Sequence, residues 1–127
     1  MCQMLLSINP EHVENILLGT KRFEFRKVRC KVDVDKIIIY ATSPVMRIVA
    51  EAEVSEIIED NVEAVWEVTK KYAGISHEFF ESYYEGKNKA VAYKLTKVKK
   101  YKEPKMLSDY GLRFAPQSFV YLSPAMA

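Results

Sequence analysis

Gly19-Thr20-Lys21-Arg22-Phe23-Glu24-Phe25-Arg26 sets two phenylalanines in alternation with charged residues. A period of two marks a half-buried strand, because successive side chains leave a strand on opposite faces. Phe23 and Phe25 then face a core, and Arg22, Glu24 and Arg26 share the other face. Gly19 supplies a turn and Lys21 stands at the strand's start. Three charges on one face beside a glycine turn make a candidate site. The same pattern also describes a solvated strand face, whose cross-strand ion pairs contribute little.

Upstream, Met4 to Ile8 reads as a short strand. Asn9 is a good N-cap, with Pro10 at the first helical position and Glu11 in the first turn. Val13, Ile16 and Leu17 recur at helical spacing, and Gly19 ends the helix. Downstream, the charged-aromatic strand runs from about Lys21 to Val28. Ile37, Ile38 and Ile39 in succession, within Lys36 to Tyr40, predict a strand buried on both faces. Thr42-Ser43-Pro44 is turn chemistry. Arg47 to Val54 alternates again, with Ile48, Ala50, Ala52 and Val54 on one face.

Asp60 and Glu63 resemble a capping box. It opens a helix with Val62, Val65, Trp66, Thr69, Tyr72 and Ala73 on one face, closed by Gly74. Ser76 caps a second, short helix that carries Phe79, Phe80, Tyr83 and Tyr84 and ends at Gly86. That aromatic stripe reads as core packing rather than a base-stacking platform. A long strand follows from about Ala90 to Tyr101, with Val91, Tyr93 and Leu95 in phase. Val98 falls out of phase, which predicts a bulge near Thr96 or Lys97. Pro104 is expected to break the strand, and Gln117 to Leu122 makes a last one. Strands with helices inserted between them point to an α+β fold around a small curved sheet or barrel, in one domain of 127 residues.

The net charge of +2 is too small to mark a nucleic-acid binder. Its distribution says more. Lys21, Arg22, Arg26, Lys27, Arg29 and Lys31 crowd one segment, and Lys87 to Lys105 another. Glu51 to Glu67 is acidic. Adjacent basic segments would leave one side positive and the other negative, unless the second merely solubilises the surface. Cys2 and Cys30 form no CxxC pair, which suits reduced thiols in a cytoplasmic protein. His12 and His77 lack companion ligands at metal spacing, so neither a metal nor another cofactor is expected. No apolar run approaches the roughly 20 residues of a membrane helix, and no export signal is recognisable.

Several landmarks stand in order. Ser7-Ile8-Asn9-Pro10 precedes the first helix, and the run from Gly19 through Lys21 and Glu24 to Arg26 follows it. Tyr40-Ala41-Thr42-Ser43-Pro44-Val45 comes next, then Gly74-Ile75-Ser76 with Phe79, Tyr84 and Gly86. Ala115-Pro116-Gln117-Ser118-Phe119 closes the series. Over nearly its whole length the chain resembles the ASCH domain family, whose fold is a PUA-like mixed β-barrel.

The resemblance implies a cleft beside the first helix and recognition of RNA or a nucleotide-like small molecule, with a role in regulating transcription or translation. By position, Lys21, Glu24 and Arg26 would line the cleft. Tyr40, Thr42 and Ser43 would approach from a neighbouring strand end, and Gln117 from the last strand. Lys21 is out of phase with Glu24 and Arg26, and joins them only if the chain is still turning at Gly19-Thr20. Each residue also has a structural explanation: Tyr40 in the core, Thr42 and Ser43 in a turn, Gln117 on a backbone group, Glu24 paired with Arg26.

Two mechanisms follow from the resemblance. In a binding module, Lys21 and Arg26 hold phosphate, Glu24 accepts from an exocyclic amine, and Tyr40 stacks a base. The alternative is an amidohydrolase acting on an acylated nucleoside such as acetylated cytidine. The family's branch with that activity uses a lysine, a threonine three residues later and a downstream carboxylate. Lys21 matches the lysine, but Glu24 stands in the threonine position, and Lys71-Tyr72-Ala73 offers no carboxylate before Gly74. An acyl-enzyme route through threonine is therefore closed. Glu24 could serve as a general base for water, although adjacent cations favour the charged form of a carboxylate.

Overall fold

The computed structural model describes residues 3–30 and 34–122; Cys2 and Lys31 lie outside them. Among these described residues, six strands and three α-helices follow one another. They are β1 (Gln3–Ile8), α1 (Pro10–Leu18), β2 (Phe23–Arg26), β3 (Lys36–Ala41), β4 (Arg47–Asn61), α2 (Val62–Thr69), α3 (His77–Tyr83), β5 (Lys89–Lys105) and β6 (Phe119–Leu122). The strands form one mixed sheet in the order β2-β5-β4-β3-β1-β6, curled into a half-barrel. Only β1 and β3 run parallel, with α1 in the crossover between them; the other pairs are antiparallel. This is the expected α+β, PUA-like architecture.

Strand alternation sorts the core into three clusters. Met4, Leu6, Ile8, Ile37, Ile39, Ala50, Ala52, Val91, Tyr93 and Leu95 meet Val13 and Ile16 of α1. Leu5, Ile38, Tyr40 and Ile48 point the other way, against Tyr101 and Tyr110. Phe23 and Phe25 join Val65, Trp66, Phe80, Tyr84, Ala90 and Ala92 under α2 and α3. The triple isoleucine is buried on both faces, as its pattern predicts. Ile48 parts from Ala50 and Ala52 because the register with β5 shifts between Ile48 and Ala50.

The boundaries differ from the sequence expectations in four places. The cap of α2 is Asn61, whose Oδ1 accepts from Ala64 N at 2.8 Å; Asp60 instead accepts from Asn61 N at 2.7 Å. That helix gives way to a 3-10 turn over Lys70–Tyr72 before Gly74. Strand β4 continues past Val54 to Asn61, because a register shift between Val54 and Glu56 restores pairing to β5. Pro104 does not end β5. It sits in an irregular stretch where Ala50 pairs Lys100 and Ile48 pairs Lys105, so no ladder donor is required of it. The bulge near Lys97 is present: Glu51 pairs Lys99 while Glu53 pairs Thr96, and Lys97 has φ +49°.

The charges do not segregate into a positive and a negative side. Strand β2 does pair with β5, so the basic segments are neighbours, but the acidic β4 pairs with the other edge of β5. Charges interleave instead, with Lys36–Glu51 at 2.9 Å, Arg29–Glu59 at 3.5 Å and Lys97–Glu53 at 3.8 Å. His77 is not without companions either. Glu81 and Glu63 lie 2.9 and 3.8 Å from its Nε2, and its ring stacks on Trp66 at 4.7 Å. His77 and both of these glutamates are exposed. No helix among the described residues is long and apolar enough to cross a membrane.

Candidate functional site

The first helix begins as its sequence dictates. Asn9 Oδ1 accepts from Glu11 N at 2.9 Å, and Pro10 opens the helix. Gly19, at φ +85°, ends it, and Thr20 N and Lys21 N both fold back onto Asn15 O at 3.1 Å. The chain is therefore still turning at Lys21, which resolves the phase problem. Strand pairing starts one residue later, where Arg22 N donates to Tyr72 O and Leu95 N donates to Arg22 O, both at 2.8 Å. Arg22 leaves the group: it is exposed, and its guanidinium lies 3.9 Å from the Tyr72 ring centre.

Lys21 is buried. Its ammonium donates to Ala73 O at 2.9 Å and lies 4.8 Å from the Phe25 ring centre. Burial lowers its pKa, and Arg26 adds to that while Glu24 opposes it. Glu24 is also buried and takes a 2.7 Å contact from Arg26 Nη2. The same guanidinium donates to Ser118 Oγ and to Ser7 O, each at 3.1 Å. Arg26 thus ties the β2 edge of the sheet to the β1–β6 edge, which draws the curl together.

Between these groups lies a cavity of about 180 Å³ at the N-terminal end of α1. Its polar lining is Ser7, Asn9, His12, Lys21, Glu24 and Arg26. Ile8, Phe25, Ile75, Phe79 and Tyr83 complete the wall. Two cations face one carboxylate, so with His12 neutral the lining carries one net positive charge, reinforced by the positive end of the helix. Burial lowers the pKa of His12, as does Lys21, against smaller opposing effects of Glu24 and Glu11. Among the described residues, the buried side-chain nitrogens or oxygens with no hydrogen-bond partner are His12 Nδ1 and Arg26 Nε, and both residues line this cavity.

Of the residues singled out in the sequence, Lys21, Glu24 and Arg26 come together here. Tyr40, Thr42, Ser43 and Gln117 do not. Tyr40 is buried on the sheet face opposite α1, since Ile39 and Ala41 on either side of it face the helix. Thr42 and Ser43 form the turn after β3, with Thr42 N on Ile8 O at 3.0 Å. Gln117 is exposed, and its neighbour Ser118 reaches Arg26 instead. The aromatic stripe of α3 divides. Phe80 and Tyr84 are core, whereas Phe79 is 50% exposed and stands with Tyr83 at the cavity. His12 and Tyr83 belong to no motif, and Ser7 and Phe79 stand in the sequence only as landmarks of the resemblance; their places at the N-terminal end of α1 and on the open side of α3 bring them to the cavity.

A model of the ASCH domain matches residues 6–105. The chain belongs to the ASCH domain family. It is 31% identical over 94 residues to an "ASCH domain-containing ribonuclease" of Zymomonas mobilis, a match covering 73% of this chain and 64% of that protein. It is 34% identical over 120 residues to "Large ribosomal subunit protein uL22" of Ureaplasma parvum, covering 94% of this chain but 39% of the relative. A 31% match to "ATP synthase subunit alpha" of the same organism covers 94% of this chain and 15% of that protein. The chain thus spans well under half the length of these two relatives, whose unrelated names describe much longer proteins. A crystal structure of ASCH from Zymomonas mobilis superposes with a TM-score of 0.88 at 27% identity, covering 98% of this chain and 90% of that one.

Proposed function

We propose that this ASCH domain binds RNA and seats one nucleotide unit in the pocket of Lys21, Glu24 and Arg26. The observation that carries this is the convergence of a buried and a half-buried cation, Lys21 and Arg26, on one cavity at a helix N-terminus, with a single carboxylate to offset them. A phosphodiester of charge −1 complements that balance. Arg26 Nε and the remaining hydrogens of Lys21 Nζ are donors not yet used within the fold. The cavity is smaller than the ~300 Å³ at which drug-sized sites begin, which suits one nucleotide unit rather than a duplex. Phe79 and Tyr83 take the stacking role first given to Tyr40, a contact worth about 1–3 kcal/mol per base. Two of the relatives carry names tied to RNA, a ribonuclease and a ribosomal protein. Regulation of transcription or translation in the cytoplasm would be the cellular consequence of such binding.

The amidohydrolase reading gains nothing from the geometry. Glu24 is engaged by Arg26, position 24 offers no hydroxyl, and the Ser7 hydroxyl is committed to Pro116 O at 2.7 Å. Binding is tested by fluorescence anisotropy with a short labelled single-stranded RNA. Lys21→Met is expected to weaken it about 10- to 100-fold, the value of one or two charge-assisted hydrogen bonds. The same substitution is expected not to lower the unfolding temperature. The lowered pKa of Lys21 means that folding disfavours its charged form, so that penalty is present at neutral pH and is relieved only as pH rises toward the unfolded value of 10.5. Unchanged affinity in Lys21→Met would remove the pocket from the proposal.

A further inference from the structure

We propose that Glu63, His77 and Glu81 form a site for a divalent transition-metal ion of the Zn²⁺ class, which clasps α2 to α3. None of the three lines the cavity beside α1, and nothing in the site depends on the RNA-binding reading. His77 and Glu81 stand four residues apart on α3, which puts them on one face of that helix. Glu63 comes from the first turn of α2. Nε2 of His77 is 2.9 Å from Glu81 Oε1 and 3.8 Å from Glu63 Oε1, and the three ligating atoms all lie within 4.8 Å of one another. Donors around a tetrahedral zinc, each roughly 2.0–2.2 Å from the metal, are about 3.4 Å apart, a spacing that these separations bracket. Among the described residues, no other three His, Cys, Asp or Glu side chains bring their ligating atoms so close.

Two observations set this cluster apart from an ordinary surface ion pair. The first is that one imidazole cannot serve both carboxylates. A ring nitrogen carries at most one hydrogen, and Nε2 lies at hydrogen-bond distance from Glu81. At 3.8 Å Glu63 is beyond such a bond, and Lys70 of the same helix is engaged by Glu67 at 2.8 Å. Two carboxylate oxygens within 4.8 Å of each other repel, and a divalent ion between them turns that repulsion into attraction. The second observation is that the ring is held in place. His77 stacks on Trp66 with the planes 6° apart and the centroids separated by 4.7 Å, and Trp66 is itself fixed in the core under α2. A ligand already oriented by packing gives up little freedom on binding a metal. Imidazole suits Zn²⁺, Ni²⁺ and Cu²⁺ better than Mg²⁺ or Ca²⁺, which seek oxygen ligands. Three protein ligands leave a fourth position to water. The ion would tie α2 to the helix that carries Phe79 and Tyr83 to the cavity.

Trp66 is the chain's single tryptophan, so its emission reports on the site directly. Cu²⁺, which quenches tryptophan at short range, should quench the fluorescence of the whole chain saturably at one ion per chain. Calorimetry with Zn²⁺ should find the same stoichiometry. Zn²⁺ at a hundred times its dissociation constant should raise the unfolding temperature by on the order of 10 °C, and Mg²⁺ and Ca²⁺ should not. Glu63→Gln and His77→Gln should each weaken Zn²⁺ binding about 100-fold, no less than the loss of an outer-shell partner costs. Glu63 is exposed, so without metal the unfolding temperature of Glu63→Gln should stay near wild type. Four results overturn the inference: no Zn²⁺ bound at about 1 mM, Mg²⁺ or Ca²⁺ bound as tightly as Zn²⁺, Cu²⁺ bound without quenching, or Zn²⁺ affinity unchanged in Glu63→Gln. Should His77→Gln disturb the packing on Trp66, Glu63→Gln decides the matter alone. No RNA enters these measurements, so their outcome is separate from that of the RNA-binding reading.

Discussion

Arg26→Met is expected to cost about 3–5 kcal/mol of folding stability, the usual penalty for removing one partner of a buried ion pair. The loss does not measure what the pair contributes. It arises because Glu24, whose side chain is only 8% exposed, is left as a buried carboxylate without its 2.7 Å partner. The Ser7 carbonyl and the Ser118 hydroxyl lose a donor at the same time, so the two edges of the curled sheet also lose their tie. A second substitution separates these causes. With Glu24→Gln already in place no charge is stranded, and Arg26→Met should then cost about 1–2 kcal/mol, a coupling readable in a double-mutant cycle by urea unfolding. If the single and double backgrounds gave equal losses, the buried charge would not be the cause.

The same pair shows what the sequence could and could not say. Alternation around Phe23 and Phe25 correctly sends both rings to the core and puts Glu24 and Arg26 together. Alternation also governs Tyr40: with Ile39 and Ala41 facing the helix, parity alone turns Tyr40 away from the cleft, so strand periodicity outweighs a landmark carried over from a family pattern. Lys21 was a different problem. Its membership depends on the reverse of the chain at Asn15 and on the carbonyls of Tyr72 and Ala73, more than fifty residues away in sequence, and no local rule supplies those. His12 was hidden for the same reason, since a lone histidine on a helix acquires meaning only from the cations that another segment places opposite it. The clustering of charge in sequence makes no polarised surface because β5 has two edges: β2 takes one and the acidic β4 the other, so segments distinct in sequence interleave in space. Segment composition predicts a polarised surface only when strand order is already known.

The turn that closes over Lys21 gives the second large effect. Gly74→Ala is expected to cost about 2–5 kcal/mol. Gly74 has φ +70°, a conformation that charges any residue with a Cβ roughly 1–2 kcal/mol. The added methyl would also overlap Cβ and Cγ of Lys21 and lie 3.0 Å from its Cα. Overpacking of a closed site costs a further ~1–3 kcal/mol, and backbone at Cα cannot yield as a flexible side-chain end would. Gly86→Ala is the control, because Gly86 has φ +78° but nothing within 4 Å of its would-be Cβ. Only the conformational part should appear there, about 1–2 kcal/mol. The difference between the two substitutions in chemical denaturation therefore isolates the contact with Lys21. Equal losses would mean that the turn does not press on Lys21. An excess at Gly74, accompanied by weakened RNA binding, would mean that the close approach of a glycine backbone keeps the ammonium seated on Ala73 O and aimed at the cavity. A residue remote in sequence, without charge or side chain, would then hold the pocket's buried cation in place.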